Sequence, residues 1–130
     1  MAKSFCTTVS PWVVTLEALE PYRTEPFRRP EGDPDPLPYL TCWSDGERGG
    51  IDLKLEVYIT TERMRGEGYE PFRLSSGNFK DMYWTIAQML THHSSNGCNL
   101  RPGDLLASGT VSGSTKESRG SMLELAWRGS

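Results

Sequence analysis

The run "HHSSNGCNLRPGD" places two adjacent histidines, His92 and His93, ahead of Cys98 and Asp104. Those residue types suit a metal site or a nucleophile with a base, but their spacing suits neither. On a helix, neighbours diverge by about 100°, and only residues three or four apart converge on one point. His92 and His93 therefore make a poor chelate. No histidine follows Cys98 at a spacing that would close a zinc site. In "RPGD", Pro102 and Gly103 occupy the positions that a type II turn favours, so Asp104 reads first as a turn residue. Asp33 and Asp35 in "GDPDP" invite calcium, yet two carboxylates in a proline-rich loop read as solvated. A different pair is more promising. If "LLASGTVSG" and "SMLELAW" pair as strands with Ser112 facing Met122, Thr110 stands opposite Glu124, and a hydroxyl and a carboxylate converge.

The elements that must position these groups follow from pattern. "KSFCTTVSPWVV", Lys3 to Val14, is rich in β-branched and aromatic residues and reads as a strand, with Lys3 and Thr7 on one face and Pro11 at an edge or bulge. "TLEALEP" fits one helical turn capped by Thr15 and stopped at Pro21. Between Pro21 and Pro38 the prolines fix φ and remove N–H donors, so this stretch is expected to be an extended surface loop with neither ladder nor helix. In "IDLKLEVYI" the apolar Ile51, Leu53, Leu55, Val57 and Ile59 alternate with polar neighbours, the pattern of a strand with one buried face.

"NFKDMYWTIAQMLTHH" is the one long helical pattern. Asn78 is its expected cap, Phe79, Met82, Tyr83, Ile86 and Leu90 recur at three and four, and Asn96-Gly97 supplies a left-handed stop. His93 falls on that apolar stripe and is expected to be a core residue. In the last segment Leu123, Leu125 and Trp127 share one strand face, with Met122, Glu124 and Ala126 on the other. The fold class is thus mainly β with one clear α-helix, in one domain spanning 1–130.

Composition excludes some partners. Lys+Arg 14 against Asp+Glu 17 gives a net charge of -3, and the pI is near 5.4, so there is no basic footprint for nucleic acid or an anionic membrane. Mean hydropathy is -0.52, and no apolar run approaches the roughly 20 residues of a membrane-spanning helix. The start of the chain lacks a signal peptide's apolar stretch, and three widely spaced cysteines suit reduced thiols, so a cytoplasmic location is expected.

Three stretches, "KSFCTTVSPWVV", "NFKDMYWTIAQMLTHHSSNGCNLRPGDLLASGT" and "GSMLELAWRG", closely resemble the C-terminal part of the fumarylacetoacetase family, and the likeness runs from Lys3 to Gly129. It implies part of a mixed β-roll/β-sandwich catalytic domain and a hydrolase that cleaves a carbon–carbon bond of fumarylacetoacetate, the last step of tyrosine and phenylalanine breakdown. It also implies Mg2+ and Ca2+ at the site and a homodimer. By the same resemblance Lys3 is similar to the lysine at the edge of the metal and oxyanion site, where an ammonium stabilises developing negative charge. Thr7 is similar to the threonine of the magnesium site. Thr110 matches a substrate-binding threonine, and Glu124 matches the catalytic glutamate that orients the site's histidine. His92 and His93 match histidines of the family's helix that are not catalytic.

The family's catalytic histidine, substrate arginine and tyrosines, and calcium carboxylates find no match here, and are expected to lie before the first residue. Family members continue past "WRGS". The chain is therefore expected to be a piece truncated at both ends and inactive alone. Where the family often has Gly-Pro-Glu-Pro, this chain reads "STKESR", an expected change of loop rather than of chemistry. The alternatives are a non-catalytic binding or assembly module that retains part of the fold, and a related β-diketone hydrolase. The length of the matching helix-and-turn run disfavours the second.

Overall fold

A computed structural model describes residues 6–126. Lys3 and Trp127, and with them the expected oxyanion lysine and one end of the last apolar face, lie outside those residues. The first described stretch departs from expectation. Residues 6–14 form no strand, and Trp12 and Val13 are each 86% exposed. A strand is held by ladder hydrogen bonds to a neighbour, and among the described residues none pairs with this one; β propensity alone does not fix the backbone. Thr7 is correspondingly exposed, outside any helix or strand.

The Thr15 cap is present, its hydroxyl accepting from Ala18 N at 3.3 Å. Pro21 does not stop the turn. It sits in the first turn of a 3-10 helix, Glu20–Tyr22, where a missing N–H costs nothing. Most of the rest of the proline-rich stretch is loop, with two further exceptions to the expected absence of ladder and helix. β1, Arg23–Thr24, lies between prolines and pairs antiparallel with β2, Gly50–Ile51, and Pro38–Leu40 is a 3-10 turn. Gly50 permits the first exception: a Cβ there would collide with the Glu25 carbonyl oxygen.

The alternating segment is broken in two. Ile51 belongs to β2, while β3 covers Lys54–Ile59 and pairs antiparallel with β4, Phe72–Asn78, in a register that shifts between Val57 and Tyr58. Because this ribbon is only two strands wide, its expected buried face stays partly open, with Val57 exposed. Two short helices had no strong pattern in the sequence. They are α1, Trp43–Arg48, and α2, Glu62–Gly66, the latter capped by Thr61.

The expected long helix is also divided. Asn78 caps only the 3-10 turn Phe79–Asp81, and α3 runs Ile86–Ser94 from Thr85. The deciding signal is the sequence Thr85-Ile-Ala-Gln88, a capping box in which the Thr85 hydroxyl accepts from Gln88 N at 3.1 Å and the Gln88 side chain accepts from Thr85 N at 3.1 Å. Beyond α3 the expected stop holds, with Gly97 at φ 86.

The core sits where these pieces meet. Ile51 is 2% and Leu40 8% exposed, beside the buried Thr85. The Thr85 hydroxyl donates to Asp45 Oδ2 at 2.7 Å, and Gln88 Nε2 donates to the Leu40 carbonyl at 3.2 Å, so the cap of α3 also ties it to α1 and the Pro38–Leu40 turn. The result is mixed α/β, with two small two-stranded ribbons and short helices.

Candidate functional site

The last two expected strands are absent. Residues 105–113 form none, and "SMLEL" folds as a short helix, α4, Met122–Leu125. Ser121-Met-Leu-Glu124 is a helix-start signal that outweighs the period-two reading: Ser121 caps the helix and Glu124 occupies the third position. The expected register, with Ser112 facing Met122 and Thr110 facing Glu124, is corrected accordingly. The Ser112 hydroxyl itself meets Glu124, donating to Oε2 at 2.9 Å, and the Ser121 hydroxyl donates to the same oxygen at 2.8 Å.

Close backbone approach makes this possible. A Cβ at Gly120 would collide with the Val111 carbonyl oxygen and press on the Thr110 methyl group, so only glycine lets residues 110–112 lie against the start of α4. The Thr110 methyl group thus lies close to Gly120, while Glu124 is reached by Ser112 rather than through a strand pairing with Thr110. Upstream, Leu106 to Gly109 border α3 across a groove of about 530 Å3, lined also by Phe79, Ile86 and Leu90.

The two hydroxyls hold the Glu124 carboxyl below the ordinary carboxylate range, Ser121 more than Ser112, with the Arg119 guanidinium adding to the effect and partial burial opposing it. Glu124 is thus an anion at neutral pH, fitted to accept an N–H and to stabilise a neighbouring cation.

Neither histidine is a hydrogen-bond partner of this corner among the described residues. His92 Nδ1 is 2.9 Å from the Tyr39 hydroxyl. His93, expected in the core, is exposed, with Nε2 3.5 Å from the Cys98 sulfur. Starting the helix at Ile86 leaves its last turn clear of the core. Asp104 is the turn residue expected: its Oδ2 accepts from Arg101 N at 2.8 Å, with Gly103 at φ 94. Asp33 is not simply solvated, since it accepts from the Tyr83 hydroxyl at 2.7 Å. Beside it Arg29 stacks over Trp84 at 4.2 Å and Tyr83 at 4.6 Å, on the wall of a cavity of about 450 Å3. No sequence pattern had singled out Arg29.

Comparison with known proteins decides the family. Residues 1–126 match the family described as "Fumarylacetoacetate (FAA) hydrolase C-terminal". The chain belongs to this family. It is 55% identical over 130 residues to a fumarylacetoacetase of Rattus norvegicus, 53% over 130 residues to that of Homo sapiens, and 48% over 132 residues to that of Dictyostelium discoideum. These alignments cover 99%, 99% and 100% of this chain and 28% of each relative, so the chain spans little more than a quarter of the length of the fumarylacetoacetases it matches.

Among the described residues no three His, Cys, Asp or Glu side chains gather as a metal site would need. Of the two metal-site residues the family resemblance implies, Thr7 offers one hard oxygen on exposed chain and Lys3 is outside the described residues. The described residues do not by themselves fit a magnesium or calcium centre. None of the described helices is long and apolar enough to cross a membrane.

Proposed function

We propose that this chain supplies the glutamate corner of a fumarylacetoacetate-hydrolysing site. In the overall reaction water adds to a carbonyl, the adjacent carbon–carbon bond breaks, and the leaving carbon takes a proton, giving fumarate and acetoacetate. The observation that carries the reading is the Glu124 carboxyl with two serine hydroxyls on Oε2, one of them from the stretch 110–112 that Gly120 lets close on α4. Oε1 of that carboxylate is the acceptor for the N–H of a catalytic imidazole, which it orients and whose charged form it stabilises while the ring takes a proton from water. His92 and His93 do not fill that role, so the imidazole comes from outside this chain. Thr110 contributes a substrate hydrogen bond, and Lys3 an ammonium toward the developing oxyanion.

Magnesium and calcium belong to the same proposal, with Lys3 and Thr7 at the edge of the magnesium site and the remaining ligands supplied from elsewhere; no step above is routed through either ion. A mixed β-roll/β-sandwich setting, a homodimer and a cytoplasmic location complete the reading. The family match and about 50% identity along the chain support it. The test is fumarate release from fumarylacetoacetate by the longest product of the encoding reading frame, with the 130-residue chain alongside. Release by the longer product, lost in Glu124→Gln and absent from the 130-residue chain alone, is the expected result. A folded, metal-supplied longer product that releases no fumarate overturns the proposal.

A further inference from the structure

Each hydroxyl that meets Glu124 also receives a backbone N–H. Gly120 N donates to Ser112 Oγ at 3.1 Å, and Glu124 N donates to Ser121 Oγ at 3.3 Å. An amide N–H cannot accept, so each serine oxygen is the acceptor there, and its own proton is directed at the carboxylate. Both protons fall on Oε2, at 2.9 and 2.8 Å. Among the described residues no hydrogen bond reaches Oε1. A carboxyl group is planar, so fixing one oxygen from two sides fixes the direction in which the other points.

We propose that Ser112 and Ser121 are positioning residues, a two-hydroxyl clamp that occupies Glu124 Oε2 and aims Oε1 at the catalytic imidazole. The inference rests on the proposed function for the imidazole only; the clamp itself stands on the four hydrogen bonds. A carboxylate free to rotate offers either oxygen in many directions, and holding a reacting group within a few tenths of an ångström requires support from its neighbours. The serines provide it from two segments, one on each side of Gly120. They also keep the carboxyl ionised, because a hydroxyl donor favours the charged form. The charged group facing Glu124 from the same corner is Arg119, whose Nη1 donates to the Glu124 carbonyl at 3.3 Å.

The clamp is tested by titrating Glu124 in the 130-residue chain by carbon NMR of its labelled carboxyl, assigned by its loss in Glu124→Gln. In the unaltered chain it should titrate below the ordinary glutamate value. Ser112→Ala should move it up, and Ser112→Thr, which keeps the hydroxyl, should restore it. Ser121 also caps α4, so Ser121→Gly separates the two roles: glycine is still tolerated as a helix cap but carries neither a hydroxyl proton nor a charge. It should raise the Glu124 titration while the α4 amide signals persist. In the longer, active product, Ser112→Ala should lower kcat by about 10- to 100-fold with KM little changed, the effect of losing a hydrogen bond to a charged group. Its acid limb should shift upward in pH. Unchanged titration in both Ser112→Ala and Ser121→Gly overturns the clamp, and Ser121→Gly decides alone if Ser112→Ala fails to fold. Altered titration with no fumarate release from any longer product leaves the clamp standing and overturns the proposed function.

Discussion

Glu124→Gln keeps the size of the side chain and an oxygen that can accept from Ser112 and Ser121, but it removes the charge that would stabilise an imidazolium. In the enzyme that turns over, kcat should therefore fall by about 10²–10⁴-fold while the melting curve hardly moves; full activity in this variant would show that Glu124 has no part in the chemistry. His93 is the opposite case. Its place on an apolar stripe predicts a core residue whose loss destabilises, yet the side chain is exposed beside Cys98. His93→Gln should change stability by no more than about 0.5 kcal/mol, the usual range for surface substitutions, and leave turnover within a few-fold. A marked drop in Tm would restore the core reading. At this scale the sequence is informative about which residue matters and less so about what touches it. Glu124 stands out through the family resemblance, whereas its hydroxyl partner is Ser112 rather than Thr110, because the partner depends on backbone geometry that a strand pattern misassigns.

The elements show why. Two helix starts, Thr85-Ile-Ala-Gln88 and Ser121-Met-Leu-Glu124, are written in the chain as capping signals, and in both places the apolar periodicity around them points elsewhere. A cap satisfies N–H groups that otherwise have no partner, and for helices of nine and four residues that local term outweighs propensity. Thr85→Ala should accordingly cost about 1–2 kcal/mol, at the upper end for a lost cap, since the same buried hydroxyl also holds Asp45. A urea midpoint unchanged from that of the parent chain would refute the joint role. The alternating strand, the Gly97 stop and the turn at Gly103 were legible, because each is set by residues adjacent in sequence. The gap at Asp52 and Leu53 and the ladder among the prolines were not, since the first goes with Asp52 N donating to the Tyr22 carbonyl and Leu53 N to Asn78 Oδ1, and the second with Gly50 meeting Glu25, all across the chain. The β3–β4 ribbon also makes a pH prediction. Glu56 is held below its usual value of 4.5 by Lys54 and then Arg73, and Asp52 below 3.8 by Asn78 and then Lys80. Carboxyls with depressed folded-state values contribute stability that is fully present above those ordinary values and is lost as pH falls through the lower, folded ones. The denaturant midpoint should hold between pH 7 and pH 5 and decline below pH 4, and a midpoint flat down to pH 3 would deny these pairs any share in stability.

At the scale of the whole molecule, surface area is the decisive quantity. The chain exposes 10891 Å2, where a folded monomer of 14.6 kDa is expected to expose about 6,900 Å2 by the usual scaling of surface with mass. Among the described residues only Leu40 and Ile51 are buried hydrophobic side chains, while Trp12, Val13, Trp43, Leu105 and Leu123 are well exposed. So small a core offsets little of the conformational entropy lost on folding, and apolar surface on this scale favours association. Among the described residues neither strand of the β3–β4 ribbon has a second strand partner, and an open strand edge is a template for a further strand. Both features drive the 130-residue chain, taken alone, toward self-association. Its apparent mass by light scattering should rise with concentration, and it should bind a dye that reports exposed apolar surface. Trp12→Ser together with Val13→Ser removes two of the most exposed apolar side chains without touching α3, α4 or the ribbon, so it should reduce association while leaving the Glu124 titration as it was. A monodisperse 14.6 kDa species across the concentration series, with cooperative unfolding, would show instead that the chain closes its surface unaided.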